Sequence, residues 1–235
     1  MPIYTIADLN IDIQYSHKYI DTLCKDYLAE NQNVPVDFAV KPIKEDVEKD
    51  RAVLDERIYP TPYLESLSVY RQIARKILEY NGIIFHASVI EMEGKAYAFT
   101  APSGTGKSTH CRLWLEAFPD KARIINGDKP LIRYIDDELY VYGTPWCGKE
   151  NYNVNTKAPL YAICFLERGE KNAIRQMDKN EALRKIFTQL LLPETESQSE
   201  CFFNMLALIC DRVKFYLLQC NMDLDAAITA YEGMK

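Results

Sequence analysis

The chain is predicted to be an α/β protein with a mixed, largely β core, and three observations predict it. From Ile83 onward, short apolar runs rich in β-branched and aromatic residues recur: 83–91, 95–100, 123–126, 131–134, 139–142 and 160–166. Around them lie segments with apolar residues at helical spacing, Leu64 to Tyr80, Asn180 to Leu192 and Cys201 to Cys210. One apolar run, Lys95 to Thr100, is joined to one helical segment, Ser108 to Phe118, by the loop A-P-S-G-T-G-K-S-T over Ala101 to Thr109. A strand, a glycine-bearing loop and a helix in that order form one supersecondary unit, and it belongs at the centre of the sheet.

In chain order, Ile3 to Ile13 alternates as a strand would, and Tyr19 to Ala29 has helical spacing. Lys41 to Arg57 is dense in charge and poor in large apolar residues, which fits a solvated connector or an exposed surface helix equally well. Pro60 and Pro62 punctuate a boundary, with Thr61 placed to cap a helix. Residues 1–60 are therefore expected to form a small N-terminal α/β extension packed on the core, and residues 61–235 the main domain. Leu64 to Tyr80 reads as an amphipathic helix ended by Asn81-Gly82. In the helix after the glycine loop, Cys111, Leu113, Trp114, Leu115 and Phe118 are available for burial. Asp136-Asp137 reads as the tip of a hairpin, Pro193 closes the helix before it, Val213 to Leu218 is a late strand, and Leu224 to Tyr231 a final helix.

Composition narrows the class. At 235 residues, 48% hydrophobic and 26% charged, the chain has the make-up of a soluble globular protein. No apolar run approaches the roughly 18–20 residues that cross a bilayer, and the N-terminus MPIYTIADLNID carries acids where a signal peptide carries bases, so a cytoplasmic protein without a membrane role is expected. Seven widely spread cysteines, an odd number without a C-x-x-C pair, argue against a disulfide framework or a zinc site. A net charge of -6 and the lack of a basic stripe argue against a nucleic-acid partner.

The loop itself carries chemistry. It has the G-x-x-x-x-G-K-[ST] pattern of a phosphate-binding loop, with Ala101 in the place of the first glycine. Gly104 and Gly106 allow backbone N–H groups to turn inward around phosphate oxygens. Ser103, Thr105 and Thr109 complete the cradle, Lys107 supplies a positive charge to the β- and γ-phosphates, and the Ser108 hydroxyl is placed to ligate Mg²⁺. The positive end of the following helix points at the same anion. The plain alternative is a glycine turn with no ligand. Downstream, Asp128 in I-N-G-D-K follows an apolar strand, where a carboxylate can hold a metal ion, accept a proton, or do both; it also reads simply as a turn aspartate. Upstream, Phe85-His86-Ala87-Ser88 places a histidine near the same region of sequence. The loop G-T-P-W-C-G-K-E-N over 143–151 offers Trp146 to stack on a base and Lys149 to neutralise phosphate, or else a structural turn pinned by a buried tryptophan. Arg168 and Lys171 are candidates for a charge on the γ-phosphate.

Taken together, H-A-S-V-I, A-P-S-G-T-G-K-S-T and N-G-D-K resemble, over about residues 83–131, the segments of ATP-dependent phosphoenolpyruvate carboxykinase and of HPr serine kinase/phosphorylase, in the same order and at similar spacing. The resemblance implies an α/β fold of the carboxykinase and HPr kinase type, with a mixed β core, a central helix after the phosphate loop and outer helices. It implies ATP as nucleotide, Mg²⁺ on Ser108 and Asp128, and His86 near the transferred phosphoryl group, as a ligand of a second divalent metal such as Mn²⁺ in the carboxykinase manner. Lys107, Asp128 and His86 would then be catalytic.

Both resembled families carry paired aspartates after the phosphate loop, whereas Asp128 here is flanked by Gly127 and Lys129. The chain is also short for a carboxykinase, leaving little room for an oxaloacetate site. The expected activity is an ATP-dependent kinase that moves a γ-phosphoryl group to a hydroxyl of a protein serine or a small metabolite. A nucleotide-binding regulatory module without transfer chemistry and an NTP hydrolase are the alternatives; no candidate strand ends in the Asp-Glu pair that a hydrolase would favour.

Overall fold

The alternating residues at the start of the chain form a hairpin in the computed structural model, which describes residues 2–55 and 58–235. Strands β1 (Ile3–Ile6) and β2 (Leu9–Ile13) are joined by Ala7-Asp8, both at left-handed φ (54° and 59°), the geometry of a two-residue hairpin turn. Leu9, Ile11 and Ile13 alternate into the interior, and β2 pairs parallel with β3 (Phe38–Val40). Helix α1 (Tyr19–Leu23) stops short of the expected Ala29. The Ala29 N–H donates to the Ile3 carbonyl at 2.9 Å, so the chain is drawn out of the helix toward β1. The charged stretch is a helix, α2 (Lys44–Val53), of which only Val47 is buried; its expected last residues, Glu56 and Arg57, lie outside the described residues.

Helix α3 (Thr61–Lys76) begins just after Pro60 with Pro62 in its first turn, where a missing N–H costs nothing. Leu64, Val69 and Ile73 line its buried face. It meets α1, α2 and β3, so it belongs to the first of two compact units, Met1–Tyr80 and Asn81–Lys235. The division therefore falls at Tyr80, not near residue 60.

The second unit holds β4 (Gly82–Ile84), β5 (Ser88–Met92), β6 (Lys95–Thr100), α4 (Lys107–Ala117), β7 (Ala122–Asn126), β8 (Leu131–Ile135), β9 (Glu138–Tyr142) and β10 (Lys157–Arg168). Then come β11 (Ala173–Gln176), α5 (Lys179–Ile186), α6 (Glu196–Arg212), β12 (Lys214–Cys220) and α7 (Asp225–Met234). The strands form one mixed sheet in the order β4-β8-β9-β10-β6-β5-β7, with β12 also on β10 and β11 on β12. The first residues of β10 pair antiparallel with β9, while its remainder runs parallel to both β6 and β12. Asp136 and Asp137, at φ 51° and 64°, form the expected hairpin tip between β8 and β9.

On one face, Tyr97 and Phe99 of β6, Ala162, Cys164 and Leu166 of β10, and Tyr216 and Leu218 of β12 recur at every second residue. They pack with Cys111, Leu113 and Trp114 of α4 and Ala226, Ala227 and Ala230 of α7. Trp114 is fully buried, and its ring lies 5.4 Å from Phe99 and 5.3 Å from Phe118. This core fixes α4 against the strand that precedes it. All seven cysteines are free thiols.

The expected strand over 83–91 is instead two strands. The amides between them leave the ladder: Phe85 donates to the Pro130 carbonyl (3.2 Å), His86 to Gln189 (2.9 Å) and Ala87 to Asp128 (3.1 Å). The helix expected over 180–192 ends at Ile186 in a tighter turn, and Leu190 then bridges to Phe85. Helix α6 extends beyond the expected 201–210 at both ends, and Thr195 caps its start by accepting from the Gln198 N–H.

Candidate functional site

Strands β6, β10 and β12 are parallel neighbours, so the loops that leave their carboxyl ends gather on one edge of the sheet. In open α/β sheets that edge is where ligands bind. The loop after β6 is the glycine loop, and it turns directly into α4 at Lys107. Gly104 and Gly106 have φ of +78° and +123°, and a Cβ at either would meet nothing within 4 Å. Glycine is required there by backbone conformation and not by crowding. Ala101 is not among the left-handed residues and is 2% exposed within the core, which accounts for alanine in place of the first glycine.

The Lys107 side chain is buried and folds back over the loop to donate from Nζ to the Ala101 carbonyl at 2.9 Å. Burial pulls its ammonium pKa down, opposed by the nearby negative charge of Asp128. Arg168, at the end of β10, reaches across to the same loop: its Nη2 donates to the Gly104 carbonyl at 2.6 Å and its Nε to Thr105 at 3.5 Å. The guanidinium considered above for a γ-phosphate is thus a strap on the loop backbone. Lys171 is exposed and makes no bond to the loop among those observed.

Asp128 follows β7 and is held by its neighbours. Asn126, fully buried, accepts from the N–H groups of Asp128 (2.9 Å) and Lys129 (2.7 Å), and its amide donates to the Thr144 carbonyl (3.0 Å). The Asp128 carboxylate has His86 Nε2 at 3.3 Å on Oδ1 and Lys129 Nζ at 2.6 Å on Oδ2. Burial acts to raise its pKa, but the hydrogen bond from His86 and the Lys129 ammonium prevail and hold it below the usual carboxylate range. His86 Nδ1 lies 3.0 Å from Gln189 Oε1, and the Gln189 amide nitrogen donates to Thr188 Oγ1 at 2.8 Å, which fixes the amide's orientation. Thr100, the last residue of β6, donates to the His86 carbonyl (2.8 Å), and Ser88 to the Gly127 carbonyl (2.6 Å). Motifs far apart in sequence are thereby tied to one corner of the sheet.

Two depressions flank the glycine loop. One, about 600 Å³, is lined by Gly104, Gly106, Thr109, His110, Arg168 and Met222, among others. The other, about 340 Å³, lies between Pro102, Thr105 and Phe165 on one side and Lys185, Thr188 and Gln189 on the other. Among the described residues, no group of three or more His, Cys, Asp or Glu side chains could hold a metal ion.

The structure brings Lys107, Asp128, His86 and the 103–109 loop together; it does not bring Trp146 into play. Trp146 is 7% exposed and Thr144 beside it 1%, so the loop over 143–147 is the buried structural turn of the two readings. Lys149 is exposed. Four contributors were given no role from the sequence: Gln189 behind His86, Asn126 beneath Asp128, Lys129 on its carboxylate, and His110 in the cleft wall. Lys129 had a legible signal, since it stands where the resembled families carry a second aspartate; Gln189, more than a hundred residues from its partner, had none. The assembled groups can bind an anion in the loop, set a carboxylate beside it, and hold that carboxylate ionised.

No curated protein matches the chain. Among solved structures, the Hpr(Ser) kinase/phosphatase from Coxiella burnetii aligns over 53% of this chain and 93% of its own at 11% identity, with a TM-score of 0.31, too low for a shared fold to follow. No helix among the described residues is long and apolar enough to cross a membrane. The model of one family, SynChlorMet cassette protein ScmC, matches residues 62–224, more than half of the chain, and the chain belongs to that family.

Proposed function

We propose that the protein is an ATP-dependent phosphotransferase in which the glycine loop holds the triphosphate and Asp128 faces the transferred group. The observation that carries this reading is the convergence of a buried Lys107, on a loop whose glycines have the required left-handed backbone, with an ionised Asp128 close enough to influence the lysine's charge. Lys107 neutralises the β- and γ-phosphates, and the loop N–H groups from Ser103 to Thr109 cradle them. Asp128 orients the acceptor hydroxyl and takes its proton as the bond to phosphorus forms and the bond to the leaving phosphate oxygen breaks. Its depressed pKa makes it a weak base, which suits a loose transition state in which the proton moves late. His86 and Gln189 hold Asp128 in place. The acceptor is a hydroxyl of a protein serine or of a small metabolite.

The donor types on Ser108 and Asp128, a hydroxyl and an ionised carboxylate, suit Mg²⁺, which would have to displace His86 or Lys129 from the carboxylate. The ion takes oxygen ligands, keeps several waters and needs only one or two carboxylates beside substrate phosphates. Ser108 and Asp128 would hold it, and it would supply charge neutralisation across the β- and γ-oxygens. His86 fits a second divalent ion such as Mn²⁺ less well, because both of its ring nitrogens face protein partners.

One observation favours a second reading, a nucleotide-binding regulatory module. Lys129 sits on the Asp128 carboxylate, 2.6 Å from Oδ2, and would resist both metal and proton. The test is calorimetric titration of ATP with and without Mg²⁺, on the intact protein and on Lys107→Ala, followed by transfer from labelled ATP to serine-bearing peptides and hydroxyl metabolites. Micromolar binding that needs Lys107, with label passed to an acceptor, supports the kinase. Binding with ATP left intact supports the module, and no binding by the intact protein removes both.

A further inference from the structure

The side chain of His110 is 2% exposed, on the first turns of α4, and it forms part of the wall of the 600 Å³ cleft. Its Nε2 accepts a hydrogen bond from the Trp114 indole N–H at 3.0 Å. An indole nitrogen is only ever a donor, so Nε2 must carry the lone pair and the ring's single proton sits on Nδ1. Accepting through Nε2 is open only to the neutral ring, so the ring carries no charge in this tautomer. Nδ1–H is then a buried donor with no acceptor among the described residues. Such orphans are rare in folded proteins, because a buried donor without a partner forfeits its bond to water and gains nothing in exchange. Phe99 packs edge-on against the ring at 4.6 Å, so the imidazole cannot swing away to find a partner.

The cleft suggests where the partner comes from. It continues from the glycine loop along Thr109 and His110 to the end of β12, where its lining turns apolar with Leu166, Cys220 and Met222. Met222, 77% exposed, is an unbranched side chain that can move aside or fold over a flat ligand. Asn221 cannot supply polar contacts cheaply, since its amide already donates to Asp223 and Glu170. We propose that this cleft takes the nucleoside half of the nucleotide and that His110 Nδ1–H donates to an acceptor atom on the ribose or base. The inference rests on the reading of the glycine loop as the triphosphate site, and it makes His110 a specificity residue for nucleotide over bare polyphosphate.

Two ligands separate the two claims. Inorganic tripolyphosphate can occupy the loop alone, whereas ATP fills loop and cleft. Calorimetry would be run with both on the intact protein, on His110→Phe, and on a His110→Phe/Trp114→Phe double variant that leaves no orphaned indole N–H. The expected result is ATP binding weakened about five- to ten-fold in both variants, the loss of one neutral hydrogen bond, with tripolyphosphate binding unchanged. On the intact protein with ¹⁵N-labelled histidine, ATP should shift the His110 Nδ1 resonance and tripolyphosphate should not. Equal weakening of both ligands, or an Nδ1 signal indifferent to ATP while ATP binds, overturns the inference and leaves the loop reading intact. If the intact protein binds neither ligand, the loop reading has failed and this inference falls with it.

Discussion

Arg168 offers a direct test of how the glycine loop is kept ready. The loop carries two glycines at left-handed φ, and each such residue gives up about 1–2 kcal/mol of backbone entropy when fixed. Against that cost stands the guanidinium, donating to the carbonyls of Gly104 and Thr105 from a strand more than sixty residues away. A hydrogen bond from a charged donor contributes about 1.5–3 kcal/mol when shielded, and Arg168 is exposed, so about 1 kcal/mol is the reasonable share. Arg168→Met keeps the stem and removes the strap. The loop should then sample open conformations about five-fold more often, and ATP should bind about three- to ten-fold more weakly. Hydrogen exchange of the amides from Ser103 to Gly106 should speed up by a similar factor, while Tm stays within about 2 °C because the core is untouched. Unchanged exchange together with unchanged affinity would refute the strap. Unchanged affinity with a transfer rate about 10²–10³-fold lower would place Arg168 on the transferred phosphoryl group instead.

Two further outcomes follow from the charges around the loop. Lys107→Met removes a buried ammonium whose pKa burial has lowered; thermal melts should show Tm raised by about 2–4 °C while nucleotide binding is lost, and a fall in Tm would mean that the bond to the Ala101 carbonyl and the attraction of Asp128 together outweigh burial. Asp128→Asn should cost stability at neutral pH and less in acid. The folded carboxyl titrates below its unfolded value of about 3.9, so its contribution is complete above that pH and declines as pH falls toward the folded pKa. The Tm gap between the intact protein and Asp128→Asn should thus be constant from pH 7 to about 5 and narrow steadily below about 4; a gap independent of pH down to 2.5 would contradict the assignment.

Period and punctuation made much of this fold legible. The hairpin at Asp136-Asp137, the strand before the glycine loop and the helix after it follow from alternation, turn chemistry and glycine placement within short windows. Where the reading failed, distant partners had decided the outcome. The run over 83–91 is apolar enough for one strand, yet the amides of Phe85, His86 and Ala87 bond to residues around 128–130 and 189, and only that break turns His86 toward Asp128. For Trp146 the local residues left two readings open, and Thr144 beside it decides between them: it is tied to the Lys129 carbonyl at 2.7 Å, which draws the segment inward. The helix from Tyr19 lost its second half to β1 in the same way. Local signals carry the elements; the ends of elements, where the candidate site is built, answer to contacts that a window cannot contain.

That principle also bears on the aspartate the chain lacks. Exchanging a second aspartate for Lys129 changes the pair beside the loop from two negative charges to a neutral ion pair, and Lys107 then stands as net positive charge facing the cradle. Two adjacent carboxylates repel an incoming triphosphate until a divalent cation screens them; an aspartate already neutralised by a lysine does not. The binding step in this protein should therefore depend weakly on Mg²⁺, even though phosphoryl transfer, which develops charge on the β- and γ-oxygens, would still need it. Binding and chemistry would part company in their metal requirement. A chain with paired acids would instead show both lost together when the metal is removed, so the ratio of ATP affinities with and without Mg²⁺ reports on what Lys129 does to the site.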